Sequence, residues 1–234
     1  MCHDTIPGGL PTPGPYQIKE SKGLRYWDFS TNTDSEVRVA LITDIYGCNN
    51  FYQSMSTYFA EQGWQSHLID LFSELGELKE VSREAAFERR HKLNDPLCCD
   101  RIAQYIVDNQ ITALVGFCLG GNYVFELARR NVKTRHIAYY PFPAGLPTEH
   151  GLDPAFDYLE QLQTEVTVLI GDADDRVGLD NVTRLKAISE STAALKVKVY
   201  PGSKHAFLED LDSSDPDLKR NAEASLVACL EAIA

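Results

Sequence analysis

The segment that most constrains this chain is Gly116–Gly120, which reads Gly-Phe-Cys-Leu-Gly. An apolar run, Ala113–Val115, comes directly before it, and a helix-like run continues to about Arg130. This succession of strand, tight turn and helix is typical of a nucleophile elbow, here with cysteine where serine is commoner. Glycine has no Cβ, so both glycines let strand and helix approach the turn closely. The pattern predicts that Cys118 lies at the start of a helix that follows a buried strand.

The predicted position of Cys118 favours a nucleophile over a structural thiol. The positive end of the helix dipole stabilises a thiolate there. The backbone N–H of Leu119 belongs to the same turn, and we expect it to donate to an oxyanion that develops on a bound carbonyl group. The alternative is a buried structural cysteine in a tight turn. The strand before the turn and the helix after it make that alternative the weaker one.

Length, charge and the chain start exclude several classes of protein. The 234 residues suit one α/β domain or two small ones, and the net charge of −12 does not suit binding to nucleic acid or an anionic membrane. No apolar run approaches the roughly 18 residues that a membrane span needs, and the first residues do not resemble a secretory signal. We therefore expect a cytoplasmic monomer or homodimer with reduced cysteines. The cysteine spacing indicates no metal site, and we expect no cofactor.

Alternating strand-like and helix-like segments predict an α/β fold, namely a mostly parallel central sheet with helices on both faces. Residues 1–15 contain four prolines and three glycines and are predicted to form an irregular arm, before one domain over residues 16–234. The predicted strands are Gly23–Ser30, Val37–Thr43, His67–Phe72, Ile111–Val115, His136–Tyr140, Val166–Gly171 and Leu195–Tyr200. Besides the helix after the elbow, the predicted helices are Phe51–Gln62, about Glu80–Asn109 with a break near Asp95-Pro96, Leu179–Ser191 and Asp217–Ile233.

Three loops at the carboxyl ends of predicted strands carry side chains suited to catalysis. Their candidates are Cys118, one of Asp172, Asp174 and Asp175, and His205. A thiol needs a base to form the thiolate, and the base needs a carboxylate that holds its tautomer. The chain order of cysteine, aspartate and histidine matches that of α/β-hydrolases. These observations leave open which of the three aspartates contacts the imidazole.

These motifs resemble the dienelactone hydrolase family of α/β-hydrolases, also called carboxymethylenebutenolidases. Besides the elbow, the resemblance over residues 37–233 is carried by Ile42–Asn49, Ala138–Pro141, Gly171–Val177 and Tyr200–Phe207. It implies a single-domain α/β-hydrolase fold and hydrolysis of small ester or lactone bonds through an acyl-enzyme intermediate. The family pattern Asp-X-X-Val selects Asp174, which implies a triad of Cys118, His205 and Asp174. The resemblance also implies that a second N–H to the oxyanion comes from Ile45.

Several positions bear on gating and substrate binding. The family usually has a glutamate that contacts the resting cysteine at the position of Asp44, and the shorter Asp44 either takes over this role or caps the strand end. Arg83 matches one of two family arginines that hold a substrate carboxylate, although helical arginines are mostly solvated ion-pair partners. The other position is Glu209, and because carboxylates repel each other we predict that dienelactone itself is not the substrate. Tyr139 either lines the pocket or belongs to the core.

Two other functions remain open from the sequence. Class I glutamine amidotransferases share the Gly-X-Cys-X-Gly elbow, but their histidine precedes a glutamate in His-X-Glu, whereas Ala206-Phe207 follows His205 here. The second alternative is a catalytically weak or non-catalytic protein that binds a small molecule on the same fold. The departures from the family pattern motivate it, and the intact cysteine, aspartate and histidine argue against it.

Overall fold

The computed structural model describes residues 5–31 and 34–234. Within these ranges, eight strands form one sheet in the order β1-β2-β4-β3-β5-β6-β7-β8. The strands are Gln17–Ser21 (β1), Leu24–Asp28 (β2), Arg38–Ile42 (β3), Gln65–Ile69 (β4), Ala113–Phe117 (β5), Arg135–Tyr139 (β6), Val166–Gly171 (β7) and Leu195–Tyr200 (β8). The α-helices are Asn50–Glu61 (α1), Arg83–His91 (α2), Asp95–Asn109 (α3), Leu119–Arg129 (α4), Leu179–Ser191 (α5) and Pro216–Ile233 (α6).

Strand direction and burial confirm the predicted α/β fold. β3 to β8 pair in parallel, whereas β1 and β2 join the sheet antiparallel. The interior strands β5 and β7 are buried at every residue, because a parallel strand covered on both faces has no solvent-facing side. The edge strand β8 instead exposes Lys196 and Lys198, and lysines on an edge oppose pairing with another chain. The parallel topology brings the carboxyl ends of β3, β5, β7 and β8 to one edge of the sheet.

Capping side chains set the bounds of the helices beside this edge. Asn49 accepts from the N–H of Tyr52 at the start of α1. The predicted break near Asp95-Pro96 is confirmed, because α2 ends at His91 and the Asn94 side chain starts α3 by accepting from Leu97. The prediction of a long interrupted helical region was wrong only in its start, since residues 80–82 precede α2.

The described part of the predicted arm packs on the domain without forming a helix or strand. Leu10 is buried, and the N–H of Gly14 donates to the hydroxyl of Thr57 in α1. Residues 1–4 of the arm and residues 32–33 of the turn after β2 lie outside the described residues. β1 was not predicted. It pairs with β2 through a two-residue turn in which Lys22 and Gly23 have φ of 48° and 80°.

The described helices bear on membrane insertion. None of them combines the length and the apolar character that crossing a membrane would require.

Candidate active site

Cys118 lies in the turn between β5 and α4, as the sequence predicts. Its backbone has φ of 54° and ψ of −113°, a conformation that non-glycine residues rarely adopt. The Cys118 N–H donates to the carbonyl oxygen of Tyr139 at 3.0 Å, which ties the turn to the neighbouring strand. Leu119 is the first residue of α4, where no preceding helical carbonyl accepts its N–H. The elbow therefore presents a thiol and a backbone donor at one helix start.

The two elbow glycines are required by close approach of the backbone. A Cβ on Gly116 would lie 2.2 Å from the carbonyl oxygen of Gly120. A Cβ on Gly120 would lie 2.1 Å from the carbonyl oxygen of Ile42 in β3. Both contacts are with backbone atoms, so a larger residue at either position would displace a strand or the helix.

His205 contacts Asp174 and neither of the other two candidate aspartates. His205 Nδ1 lies 2.8 Å from Oδ2 of Asp174, whose side chain is fully buried. Asp172 is exposed and accepts from the N–H of Gly202, and Asp175 is exposed. The geometry thus selects Asp174, the aspartate that the family pattern indicates.

The loop of His205 packs directly on the end of β7. A Cβ on Gly171 would lie 1.9 Å from the carbonyl oxygen of Ser203, so loop and strand end are in contact. The imidazole is enclosed by aromatic rings, with centroids 4.7 Å away for Tyr140 and 5.3 Å away for Phe142. The His205 side chain is only 2% exposed. Packing and the Asp174 contact together fix the orientation of the ring.

Cys118 and His205 line the same cavity, which has a volume of about 430 Å³. The other lining residues are Ile45, Tyr46, Arg83, Phe87, Arg90, His91, Phe142, Leu146, Pro147 and Arg176. Loops after β3, β5, β7 and β8 and helix α2 all contribute to this set. The cavity therefore brings together the thiol, the imidazole and Ile45, and its size admits a small organic molecule.

The loop after β3 contains Asp44 and Ile45. One Asp44 carboxylate oxygen, Oδ1, accepts from the N–H of Tyr46 at 2.8 Å, and the Asp44 carbonyl accepts from the N–H of Gly47 at 3.3 Å. Asp44 is fully buried and is not among the cavity-lining residues, whereas Ile45 is. Asp44 thus caps the strand end, one of its two interpretations. A gating contact with Cys118 stays a prediction.

Among the candidate site residues, the structure corrects the substrate-binding interpretation of Tyr139. Its ring stacks on Phe117 with centroids 4.9 Å apart, and its hydroxyl donates to the carbonyl of Ser225 in α6. Tyr139 is fully buried and does not line the cavity, so it is a core residue and not a substrate-binding one. The side chain that reaches the cavity from this segment is that of Phe142.

Comparison with known proteins decides the family. The family model described as "Dienelactone hydrolase family" matches residues 29–233. The chain belongs to the dienelactone hydrolase family. It is 42% identical to carboxymethylenebutenolidase 2 of Cupriavidus pinatubonensis, over 96% of this chain and 94% of that one. It is 28% identical to a carboxymethylenebutenolidase of Rhodococcus opacus, over 90% and 87% of the two chains.

A solved structure agrees on the fold. A putative dienelactone hydrolase from Klebsiella pneumoniae matches with a TM-score of 0.72 at 20% identity, over 87% of this chain and 91% of that one. The α/β-hydrolase fold and hydrolysis of carboxylic ester or lactone bonds, both predicted from the sequence, are thereby confirmed. Nothing in these comparisons favours a glutamine amidotransferase or a non-catalytic binding protein.

In this dienelactone hydrolase family member, the cavity has a cationic side that sequence reasoning largely missed. Arg83 and Arg176 are exposed, whereas Arg90 is only 4% exposed. Arg90 Nη2 donates to Asp95 at 2.6 Å, but its Nε and Nη1 find no hydrogen-bond partner among the described residues. Glu209 is not among the lining residues. Arginines in a polar helix are usually solvated, so no local pattern marked Arg90 as buried.

The remaining described cysteines differ from an activated thiol. Burial raises the pKa of Cys98 to about 11 and that of Cys229 to about 12. Burial also raises the pKa of Cys48 and Cys99 well above the ordinary value for a thiol. These four side chains therefore stay protonated and poorly nucleophilic at neutral pH.

Proposed function

We propose that this hydrolase cleaves small esters or lactones through an acyl-enzyme intermediate on Cys118. The observation that carries the proposal is the 2.8 Å contact of His205 Nδ1 with Asp174, on an imidazole that shares a cavity with Cys118. The contact keeps the proton on Nδ1 and leaves Nε2 as the atom that exchanges protons.

Each step of the proposed reaction is assigned to a residue of the cavity or of the elbow. His205 takes the thiol proton, and the Cys118 sulfur attacks the carbonyl carbon to form a tetrahedral oxyanion, which the N–H groups of Leu119 and Ile45 stabilise. The intermediate collapses to a thioester, and His205 returns the proton to the leaving oxygen. Next, His205 takes a proton from water as the water attacks the thioester. Collapse of this second intermediate breaks the carbon–sulfur bond and releases the carboxylic acid, and His205 returns its proton to the sulfur, which restores the thiol.

The substrate we propose carries an anionic group. Arg83, Arg90 and Arg176 line the cavity, and none of the described lining residues carries a carboxylate. This cationic side stands out in a chain whose net charge is −12. Two relatives are named carboxymethylenebutenolidase, a name that denotes a butenolide, which is a lactone, with a carboxymethylene substituent. A guanidinium group suits a carboxylate because its N–H groups match both oxygens.

The prediction that dienelactone itself is not a substrate stays a prediction. Its reason was repulsion between Glu209 and the substrate carboxylate, and Glu209 does not line the cavity. Assay of dienelactone beside neutral esters and carboxylate-bearing esters of similar size tests it directly.

Replacement of Cys118 tests the proposal. We expect Cys118→Ala to abolish hydrolysis of p-nitrophenyl acetate and Cys118→Ser to leave little, because the elbow is built around a thiolate. Cys229→Ala is the matched control, since that thiol is buried in α6 away from the cavity. Full activity in Cys118→Ala would refute the acyl-enzyme mechanism.

Location and assembly stay predictions. We propose a cytoplasmic monomer or homodimer without a nucleic-acid partner, supported by the acidic charge balance. Light scattering after size exclusion measures the assembly state.

A further inference from the structure

Arg89 joins helix α2 to the loop that contains Ile45. Its Nη2 donates to the carbonyl oxygen of Ile45 at 3.0 Å, and its Nη1 donates to that of Gly76 at 3.0 Å. The guanidinium carbon lies 3.8 Å from the centroid of the Phe72 ring. Arg89 is only 8% exposed. Two carbonyls and one ring therefore hold this side chain in a single orientation.

The Ile45–Tyr46 peptide group is fixed at both ends. Its carbonyl oxygen accepts from Arg89, and its N–H, on Tyr46, donates to Oδ1 of Asp44. The preceding peptide group is held through the Asp44 carbonyl, which accepts from the N–H of Gly47 and the hydroxyl of Thr43. The N–H of that preceding group is the Ile45 N–H, which points away from its carbonyl because the peptide group is planar and trans.

The loop is shaped to admit the guanidinium. Gly47 has φ of +81°, which favours glycine, and a Cβ there would lie 3.3 Å from Arg89 Nη2. Arg89 thus occupies the space that a side chain at Gly47 would fill. The close approach shows that the arginine and the loop are fitted to each other.

We propose that Arg89 is a positioning residue that keeps the Ile45 N–H aimed at the oxyanion of both tetrahedral intermediates. This inference rests on the proposed function, in which Ile45 supplies that N–H. Without Arg89, the Ile45 carbonyl loses its donor, and the Ile45–Tyr46 peptide group is held only through the N–H of Tyr46 on Asp44. We expect the backbone at Ile45 to turn more freely, which moves the N–H of Ile45 together with it. Since an oxyanion donor acts only at the correct distance and angle, rotation of the loop lowers the rate without changing the thiol.

Three measurements on Arg89→Met and Arg89→Lys test the proposal. The first is kcat and KM for p-nitrophenyl acetate. The second is the affinity for a trifluoromethyl ketone, which adds the Cys118 sulfur to its carbonyl and forms an oxyanion. The third is the rate at which iodoacetamide alkylates Cys118, a displacement that forms no oxyanion. Glu88→Gln is the matched control, because Glu88 is an exposed neighbour on α2.

We expect Arg89→Met to lower kcat, kcat/KM and ketone affinity together by about tenfold or more. The reason is that the weakened contact, from the Ile45 N–H to the oxyanion, exists only in the oxyanion states. The alkylation rate stays within about twofold, since attack on iodoacetamide needs no oxyanion donor. Arg89→Lys keeps the charge but cannot hold both carbonyls, so we expect an intermediate loss. If Arg89→Met does not fold, Arg89→Lys carries the test.

Two results would overturn the assignment of Arg89. One is unchanged kcat and ketone affinity in a folded variant. The other is a parallel fall in alkylation rate, which would mean that the whole site has collapsed. Failure of the proposed function has a separate signature. In that case Cys118→Ala, with Arg89 unchanged, would keep its hydrolytic activity.

Discussion

Asp174 holds His205 through one carboxylate oxygen and its own loop through the other. Oδ2 lies 2.8 Å from His205 Nδ1, and Oδ1 accepts from the N–H groups of Arg176 and Val177 at 3.1 Å and 3.0 Å. The carboxylate cannot turn away from the imidazole without losing two backbone hydrogen bonds. The loop after β7 therefore predetermines the orientation of the ring before any substrate arrives.

Asp174→Asn tests this relationship. The amide keeps the shape of the side chain but can present an N–H to the imidazole, which favours the wrong tautomer, so we expect kcat to fall by about a hundredfold or more. Steady-state hydrolysis of p-nitrophenyl acetate measures the effect. Asp172→Asn is the control, because Asp172 is exposed and its carboxylate accepts from the N–H of Gly202. More than half of the activity left in Asp174→Asn would contradict the proposed triad.

Selective alkylation tests the state of Cys118. Burial raises the pKa of Cys98 and Cys229, so we expect iodoacetamide at pH 7.5 to label Cys118 first and to stop near one adduct per chain. Cys2→Ser removes the thiol that lies outside the described residues. Peptide mass mapping locates the adduct, and His205→Ala should slow its formation by about tenfold. Equal labelling of Cys118 and Cys98 would show that Cys118 is not activated.

The elbow predicts a contrast between two glycine substitutions. Gly120→Ala places a Cβ 2.1 Å from the carbonyl oxygen of Ile42, so we expect it to destabilise the fold by about 3 kcal/mol or more. Gly63→Ala meets no atom within 4 Å and strains only a backbone φ of +80°, which costs about 1 kcal/mol. Urea unfolding of both variants measures the difference. Equal losses would mean that the elbow tolerates a side chain.

The arginines of the cavity predict a substrate preference. Arg83→Met and Arg176→Met should each raise KM for a carboxylate-bearing p-nitrophenyl ester about fivefold and leave p-nitrophenyl acetate unchanged, because only the first substrate has a charge to pair. Added salt should shrink the difference. Arg220→Met, an exposed change on α6, is the control. The same KM change for both esters would exclude recognition of an anion.

Two buried histidines predict acid sensitivity of the fold. Burial lowers the pKa of His67 and of His136 to about 4, whereas the unfolded chain binds a proton near pH 6.5. As the pH falls from 6.5 to 4, the unfolded state takes up protons first, so the free energy of unfolding falls. We expect a loss of about 2 kcal/mol per histidine between pH 7 and pH 5.

Urea unfolding at several pH values checks this loss. His136→Asn should remove about half of the pH dependence, since one of the two histidines then no longer titrates. His150→Gln, an exposed change, should leave the dependence as it is. A flat stability between pH 7 and pH 5 in the unsubstituted chain would contradict the prediction.

The local sequence pattern predicted the elbow, which depends on close backbone contact, and the candidate residues at strand ends, which depend on strand order. The elbow was predicted from the two glycines around Cys118. The candidate partners of Cys118 were predicted from the rule that functional residues lie at the carboxyl ends of parallel strands. Choosing Asp174 from the residues alone was impossible, because three neighbouring aspartates look alike until the loop conformation orients one of them. The family resemblance supplied that choice, and the geometry agrees with it.

The failures also have physical reasons. β1 exposes four of its five residues, so it has no apolar periodicity to detect. The substrate-binding interpretation of Tyr139 was wrong, because alternation along a strand does not reveal which of its two faces reaches a cavity. Arg89 and Arg90 are adjacent in a polar helix. Arg89 is buried against the loop at Ile45, which is distant in the sequence, and Arg90 pairs with Asp95 across the break between α2 and α3.

The arrangement of α2 constrains how related chains can vary. Successive helical residues differ by about 100° in direction, and Arg89 and Arg90 use that turn to reach a backbone carbonyl and the cavity wall, respectively. Insertion or deletion of a single residue earlier in this helix would turn both side chains by about 100° and disconnect both at once. Replacement of Arg83 or Phe87 changes only the wall. New specificities should therefore arise by point substitution in this helix, while changes of length fall in the segment before it.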